Sequence, residues 1–312
     1  MSGLRICGTG HYAPDRIVTN RDLAARVDTS DEWITTRTGI RERRHCDEQQ
    51  NIDLAAEAAR RAMADAGINP LDIGAVVVAT FTPDMICPPM ACHLQKLLGL
   101  RTELIAFDVN AACTGFLFAL DAAYGLLCGG RGKYALVVGS EYISRIIDWE
   151  NRSTCVLFGD GAGAVVVALD ETRPYVCVTG VETDTDILRV GGQAAERVCV
   201  EMNGNAVFRF AVSAVPRCIG DVLQKAGLTL RDIDWFVMHQ ANRRIIDHVA
   251  KSVGIPPEKL YCNIDRYGNT SAASIPIALD ELRAAGPIRP GQRVLLVGFG
   301  GGLTWGGSIL SF

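Results

Sequence analysis

A chain of 312 residues with 48% hydrophobic and 21% charged side chains has the balance of a folded globular protein of about two domains, with no polar or low-complexity tract. Its net charge of -4 excludes the basic footprint of a nucleic-acid binder, the cluster Arg41-Glu42-Arg43-Arg44 being short and broken by an acid. The opening Met1-Ser2-Gly3-Leu4-Arg5 lacks a signal-peptide core and the longest apolar runs, such as residues 162–169, are far short of a membrane span, so the expected location is the cytoplasm.

In chain order, the apolar periodicity predicts a helix over 54–66, strands over 75–80 and 104–109, a helix over 113–128, and strands over 135–138 and 164–169. Beyond these come a helix over 212–225, a strand over 236–238, helices over 243–252 and 271–284, and a strand over 294–297. The strand runs are apolar on both faces and alternate with helices, the pattern of buried parallel sheets in an α/β protein. Charged residues and a proline at 170–174 follow a strand and suggest a division into halves 1–170 and 171–312. The segment 184–210, with Gly191-Gly192 and Asn203-Gly204-Asn205, reads either as a flap over a pocket or as a plain surface connection.

The chain has been used twice. Lys225-Ala226-Gly227-Leu228-Thr229-Leu230-Arg231-Asp232-Ile233 repeats Asp65-Ala66-Gly67-Ile68-Asn69-Pro70-Leu71-Asp72-Ile73 at an offset of 160. At an offset of 159, Asn269-Thr270-Ser271-Ala272 falls on Asn110-Ala111-Ala112-Cys113, Ala278-Leu279-Asp280 on Ala119-Leu120-Asp121, and Val294-Leu295-Leu296-Val297-Gly298 on Ala135-Leu136-Val137-Val138-Gly139. Matches in the same order at nearly one offset imply two halves of like topology, whose strand ends can converge on one site.

Eleven cysteines, scattered and never spaced C-x-x-C, and five histidines without a metal-binding spacing predict reduced thiols and no metal site. Three residues at strand ends carry the chemistry. Cys113 follows the apolar run 105–109 and opens a predicted helix, whose positive terminus is expected to lower the thiol pKa and favour a nucleophilic thiolate. His239 ends the strand 236–238 and can present a ring nitrogen to a substrate oxygen; a lone histidine is more often a hydrogen-bonded structural residue. Asn269, in Tyr267-Gly268-Asn269-Thr270-Ser271-Ala272, offers an amide N–H to the same oxygen, or else simply starts a helix or turn.

In the order Cys, His-Gln-Ala-Asn (239–242), Gly-Asn-Thr-Ser-Ala (268–272) and Gly298-Phe299-Gly300-Gly301-Gly302-Leu303-Thr304-Trp305-Gly306, the chain resembles the condensing enzymes of the thiolase superfamily, and within them the β-ketoacyl-acyl-carrier-protein synthase III family. The likeness spans essentially the whole chain, including residues 31–40 and the run Phe158-Gly159-Asp160-Gly161-Ala162-Gly163-Ala164. It implies a five-layer αβαβα fold of two duplicated halves and a homodimer. It also implies a reaction: Cys113 takes the acyl group of a short acyl-CoA, with the backbone N–H groups of Cys113 and Gly301 as oxyanion hole. Malonyl-acyl-carrier protein then loses carbon dioxide, and its enolate, held by His239 and Asn269, attacks the acyl-cysteine to begin fatty acid synthesis. Acyl-CoA and the carrier protein are substrates, and no cofactor is implied.

By the same likeness, Trp33 and Arg152 flank the CoA adenine, Arg37 lies near the phosphates, and Arg209, Arg243, Arg244 and Lys251 form a basic face for the acidic carrier protein. Cys87 and Phe158 are assigned to the acyl pocket. Many members of the family carry phenylalanine at the place of Cys87, reaching across the dimer to floor the pocket, so the smaller side chain predicts tolerance of longer or branched primers. A thiolase base is missing, since no cysteine follows Cys262, and no glutamate of the hydroxymethylglutaryl-CoA branch is evident near the end of the 76–80 strand. Two other readings stay open: a relative in specialised metabolism that passes the acyl group to another acceptor, and a non-catalytic dimer partner.

Overall fold

Runs such as Ala75-Val76-Val77-Val78 form strands because β-branched side chains fit a pleated surface, and here both faces of the pleat are covered. The computed structural model describes residues 3–172, 174–192, 196–286 and 288–312. The chain runs β1 (Gly3–Tyr12), β2 (Ile17–Thr19), α1 (Asn20–Ala24), α2 (Asp31–Thr38), β3 (Glu42–Arg44), α3 (Asn51–Ala66), β4 (Ile73–Ala79), α4 (Met90–Leu97) and β5 (Ile105–Val109). It continues α5 (Gly115–Cys128), β6 (Tyr134–Glu141), α6 (Arg152–Cys155), β7 (Gly161–Asp170), β8 (Val176–Asp184), β9 (Leu188–Val190) and β10 (Val200–Met202). Last come α7 (Gly204–Ala226), β11 (Trp235–Met238), α8 (Arg243–Val253), β12 (Leu260–Tyr261), α9 (Ile264–Tyr267), α10 (Ser274–Ala284), β13 (Arg293–Gly300) and β14 (Gly302–Ser311).

Two five-stranded sheets of identical order result, β5-β4-β6-β7-β1 and β12-β11-β13-β14-β8, joined where β1 and β14 run parallel at Arg5 and Ser311. In each, the first three strands are parallel and the fourth, β7 or β14, runs antiparallel to its neighbours on both sides. The duplication read from the sequence is therefore a duplication of topology. The repeated segments at 65–73 and 225–233 build the same device: a helix ended by a left-handed glycine (Gly67 φ 61°, Gly227 φ 65°), then a 3-10 turn leading into β4 or β11.

Helices fill three layers around these sheets. α5 and α10 lie between them, where Phe116, Leu117, Leu120, Ile275 and Leu279 meet Val77 and Val137 of one sheet and Val237 and Leu296 of the other. The alternate residues Val76, Val78, Leu136 and Val138 face outward under α3 and α4, while Phe236, Leu295 and Val297 face outward under α7 and α8. The layers are αβαβα. Each fully buried valine or leucine contributes about 1.5–3 kcal/mol, so the central helix pair is held by apolar contact from both sides.

All six predicted strands and five predicted helices are present with shifted ends. The largest shift is α7, which starts eight residues before the predicted 212, at a turn where the Asn203 side chain accepts from the Ala206 N–H at 3.1 Å. The helices expected at 113 and 271 begin instead with 3-10 turns, Ala112–Thr114 and Ser271–Ala273. β1 and β14 escaped the periodicity because glycines interrupt them. In β1 the glycines are forced, since a Cβ at Gly8 or Gly10 would stand 2.4 Å from the backbone of Ala62 in α3. Part of the segment read as flap or connection, residues 193–195, lies outside the described residues, as does Arg173 of the expected joint.

Candidate active site

The carboxyl ends of β5 and β11 and the turn before α10 open on one cavity of about 500 Å³. Cys113, His239 and Asn269 all line it, with Phe81, Leu157, Phe158 and Phe299 among its apolar walls. Leu188, Val190, Val200 and Met202, from the described part of the 184–210 segment, complete the wall, so that segment covers a pocket.

Cys113 is 8% exposed and sits in the 3-10 turn that feeds α5, after Ala112 at φ 45°. β13 comes so close that a Cβ at Gly300 would lie 2.8 Å from the Cys113 backbone nitrogen, which only glycine permits. The Thr114 and Thr304 hydroxyls, 2.7 Å apart, tie the same turn to β14. The Cys113 thiol receives one side-chain hydrogen bond, from Ser271 Oγ at 3.3 Å.

The expected low thiol pKa is corrected: burial pushes Cys113 up to about 12, the Ser271 hydroxyl and the backbone N–H pulling only part of the way back and buried Glu141 adding to the rise. Its turn precedes the α-helix, whose first residue is Gly115, so the helix terminus does not overcome desolvation.

Asn269 is fixed at both ends. Its N–H donates to Leu157 O at 2.8 Å, its carbonyl accepts from Gly159 N at 3.0 Å, and its side-chain Oδ1 accepts from Ser271 N at 2.9 Å. With Oδ1 used internally, the amide N–H groups are the end available to a ligand. His239 leaves β11 with its N–H donating to Val297 O at 2.8 Å, and its ring packs edge-on to Phe299 with centroids 5.6 Å apart. Nδ1 lies 2.6 Å from Ser274 Oγ, which also accepts from Gln240 N at 3.3 Å. The Ser274 hydroxyl has one hydrogen to donate, and the neutral tautomer that accepts it at Nδ1 carries the ring hydrogen on Nε2. Burial keeps the ring neutral by pulling its pKa down to about 3.

The rest of the His-Gln-Ala-Asn run is scaffolding. Gln240 donates to Met238 O at 2.7 Å and accepts from Asn263 N at 3.1 Å; Asn242 caps α8 and donates to Arg37 O at 3.1 Å. Through Asn242 the cavity touches the predicted CoA group, which lies beside it rather than in its wall. The Trp33 ring is held between Arg37 and Arg152, each with its guanidinium carbon 5.0 Å from the ring centre. Arg209 on α7 and Arg243, Arg244 and Lys251 on α8 are exposed. Asp247 engages Arg243 at 2.7 Å, and Arg244 lies 5.9 Å over the ring of Phe208 in the cavity wall. Phe158 is in that wall; Cys87 is exposed on the loop before α4 and is not part of its own chain's cavity. Among the described residues no group of three or more His, Cys, Asp or Glu side chains is placed to hold a metal ion, and no helix is long and apolar enough to cross a membrane.

Sequence reading missed Glu141. No glutamate lies close to the 76–80 strand in sequence, but β6 brings one to its end: fully buried Glu141 accepts from Thr80 Oγ1 at 3.2 Å, from Phe81 N at 3.3 Å and from Thr82 Oγ1. It braces the loop that carries Phe81 into the cavity without lining the cavity itself. Burial pushes its carboxyl up to about 8. From roughly pH 4.3, where an unfolded glutamate gives up its proton, to about pH 8, the folded chain therefore binds the extra proton and stability falls as pH rises. Glu141→Gln is expected to remove that slope. Urea midpoints from pH 5 to 8 should fall more steeply for the wild type, and parallel curves would count against the buried acid.

The five layers with two duplicated halves define the thiolase-like condensing enzymes. The family model described as 3-oxoacyl-[acyl-carrier-protein] synthase III matches residues 107–186, and its carboxyl-terminal counterpart matches 223–312. The chain is 46% identical to a β-ketoacyl-[acyl-carrier-protein] synthase III of Neisseria gonorrhoeae, with 100% of both chains covered. It is 44% identical to that of Clostridium acetobutylicum, covering 100% of this chain and 99% of the relative. The crystal structure of 3-oxoacyl-[acyl-carrier-protein] synthase III from Aquifex aeolicus superposes with a TM-score of 0.94 at 42% identity, covering 99% of this chain and 100% of the other. The protein belongs to the β-ketoacyl-acyl-carrier-protein synthase III family, acyltransferases that begin fatty acid biosynthesis.

Proposed function

We propose that this chain condenses a short acyl-CoA primer with malonyl-acyl-carrier protein through an acyl group held on Cys113. The observation that carries the reading is the convergence of a thiol, a neutral imidazole and a free amide on one largely apolar cavity. Cys113 attacks the thioester, the carbonyl oxygen being held by the backbone N–H groups of Cys113 and Gly301, and the thiol proton ends on the departing CoA sulfur. Malonyl-carrier then loses carbon dioxide. His239, through Nε2–H, and Asn269, through its amide, hold the enolate oxygen while the carbanion attacks the acyl carbon. A neutral histidine suits that role, because a donor is needed there and no proton has to be taken from the substrate. Carbon dioxide loss supplies the carbanion, so the reaction requires no cofactor.

In this reading Trp33 and Arg152 take the adenine of CoA, Arg37 the phosphates, and Arg209, Arg243, Arg244 and Lys251 the acidic carrier. We place the division between halves at residues 170 and 171 and the protein in the cytoplasm. Two copies pair along the outer edge of β5, which ends its sheet beside exposed Met85, Ile86 and Leu97. That dimer brings Cys87 to the partner's acyl pocket and deepens it for longer or branched primers.

Intact-protein mass spectrometry after incubation with acetyl-CoA and a series of longer and branched acyl-CoAs tests the reading. The expected result is a single acyl adduct that malonyl-acyl-carrier protein discharges as a β-ketoacyl product, with primers beyond acetyl accepted and Cys87→Phe narrowing the range. An adduct that malonyl-carrier does not discharge assigns another acceptor, and no adduct at all defeats the reading.

A further inference from the structure

Ser271 lies in a turn that the chain builds twice. At the offset of 159 residues it corresponds to Ala112, and both residues adopt the left-handed backbone that non-glycine residues avoid, φ 49° and φ 45°. Each opens a three-residue 3-10 turn that leads directly into a central helix, α5 or α10. Alanine satisfies this turn in the first half, so the turn does not require the hydroxyl in the second. Ser271 Oγ points instead across the junction of the halves to Cys113 Sγ, 3.3 Å away. Both residues are buried, and Ser271 lines the cavity. Among the described residues no other side chain hydrogen-bonds the sulfur. His239, the usual candidate for activating a thiol, engages Ser274 through Nδ1 and makes no hydrogen bond to the sulfur.

We propose that Ser271 is a further catalytic residue: its hydroxyl donates to the Cys113 sulfur and stabilises the thiolate each time it forms. The inference rests on the proposed function. In acylation the bond from sulfur to the acyl carbon forms, the bond to the CoA sulfur breaks, and the thiol proton ends on CoA. In condensation the carbon–carbon bond forms, the bond from the acyl carbon to Cys113 breaks, and sulfur departs as thiolate before taking a proton from solvent. Ser271 keeps its own proton throughout. Its hydrogen bond is weak to a thiol or thioester and strong to a thiolate, so it favours the charged state on both sides of the cycle.

The experiment compares Ser271→Ala with Ser271→Gly, the first keeping the strain and the second relieving it. Folding of the alanine variant is secured by Ala112, which already makes the same turn. Carbamidomethylation of Cys113 by iodoacetamide is followed by peptide mass spectrometry across pH, beside the single-turnover rate of acetylation and the release of carbon dioxide from malonyl-acyl-carrier protein. Both variants are expected to shift the alkylation profile to higher pH and to slow acetylation roughly 10- to 100-fold, the loss of a hydrogen bond to a charged group. Carbon dioxide release, which uses His239 and Asn269, should stay within about twofold. An unshifted alkylation profile overturns the proposal, as does recovery of the wild-type profile in the glycine variant alone, which would assign the effect to the backbone. Wild-type protein that accepts no acyl group defeats the proposed function instead, while the alkylation profiles still decide the role of Ser271.

Discussion

Cys113→Ala protein is expected to take no acyl group from any primer and to lose condensing activity by at least about 10⁴-fold, the scale seen when a covalent nucleophile is removed. No neighbouring thiol can replace it. Ten other cysteines are present, and none of them lines the cavity. The variant should fold normally, since the turn carrying Cys113 is held by Thr114, Thr304 and the close passage of Gly300 rather than by the sulfur. Mass spectrometry of the variant beside the wild type is the check, and an adduct of equal stoichiometry on both would move the nucleophile elsewhere.

His239→Ala and Asn269→Ala are expected to divide the reaction differently. Each removes one donor to the enolate oxygen, and loss of such a donor lowers the rate of the step it serves by about 10²–10³-fold. Acylation of Cys113 should survive, because neither side chain hydrogen-bonds the sulfur: the imidazole is turned to Ser274 and the amide oxygen to Ser271 N. The pH dependence separates this assignment from a general base. With its pKa pulled down to about 3, His239 is neutral across the working range, so wild-type carbon dioxide release should show no ascending limb between pH 5 and 8 from its titration. A ring acting as proton acceptor for Cys113 would give the opposite pattern, with acylation lost in His239→Ala.

The parts of the molecule that were legible in advance are those dictated by local pattern. Continuous apolar runs marked the buried strands, 3.6-residue periodicity marked the helices, and the repeats marked the duplicated topology. The places of Cys113 and His239 just beyond strands followed from those boundaries, whereas Asn269, expected at a strand end, lies in the turn between α9 and α10. What escaped was set by contacts distant in sequence. β1 and β14 are interrupted by glycines that make sense only beside the elements packed on them, as Gly10 does against α3. Glu141 is 61 residues from Thr80, and nothing local marks it as the acid that braces the loop at 80–82. The protonation state of Cys113 was misread because a helix terminus is visible in sequence while desolvation is not. Ser271 had a signal, its alignment with Ala112, whose meaning depends on backbone angles.

The nucleophile comes from the first sheet's half of the chain, while the imidazole, the amide and the glycine run that encloses the sulfur come from the other. Neither half holds a fragment of the catalyst that works by itself. After denaturation, the return of helical signal and the return of turnover therefore measure different events: helices and strands can form locally, while catalysis is expected only once Cys113 meets His239, Asn269 and the glycine run. Turnover is a clock for docking, and a substitution between α5 and α10 that delays it would do so without altering any group that touches substrate.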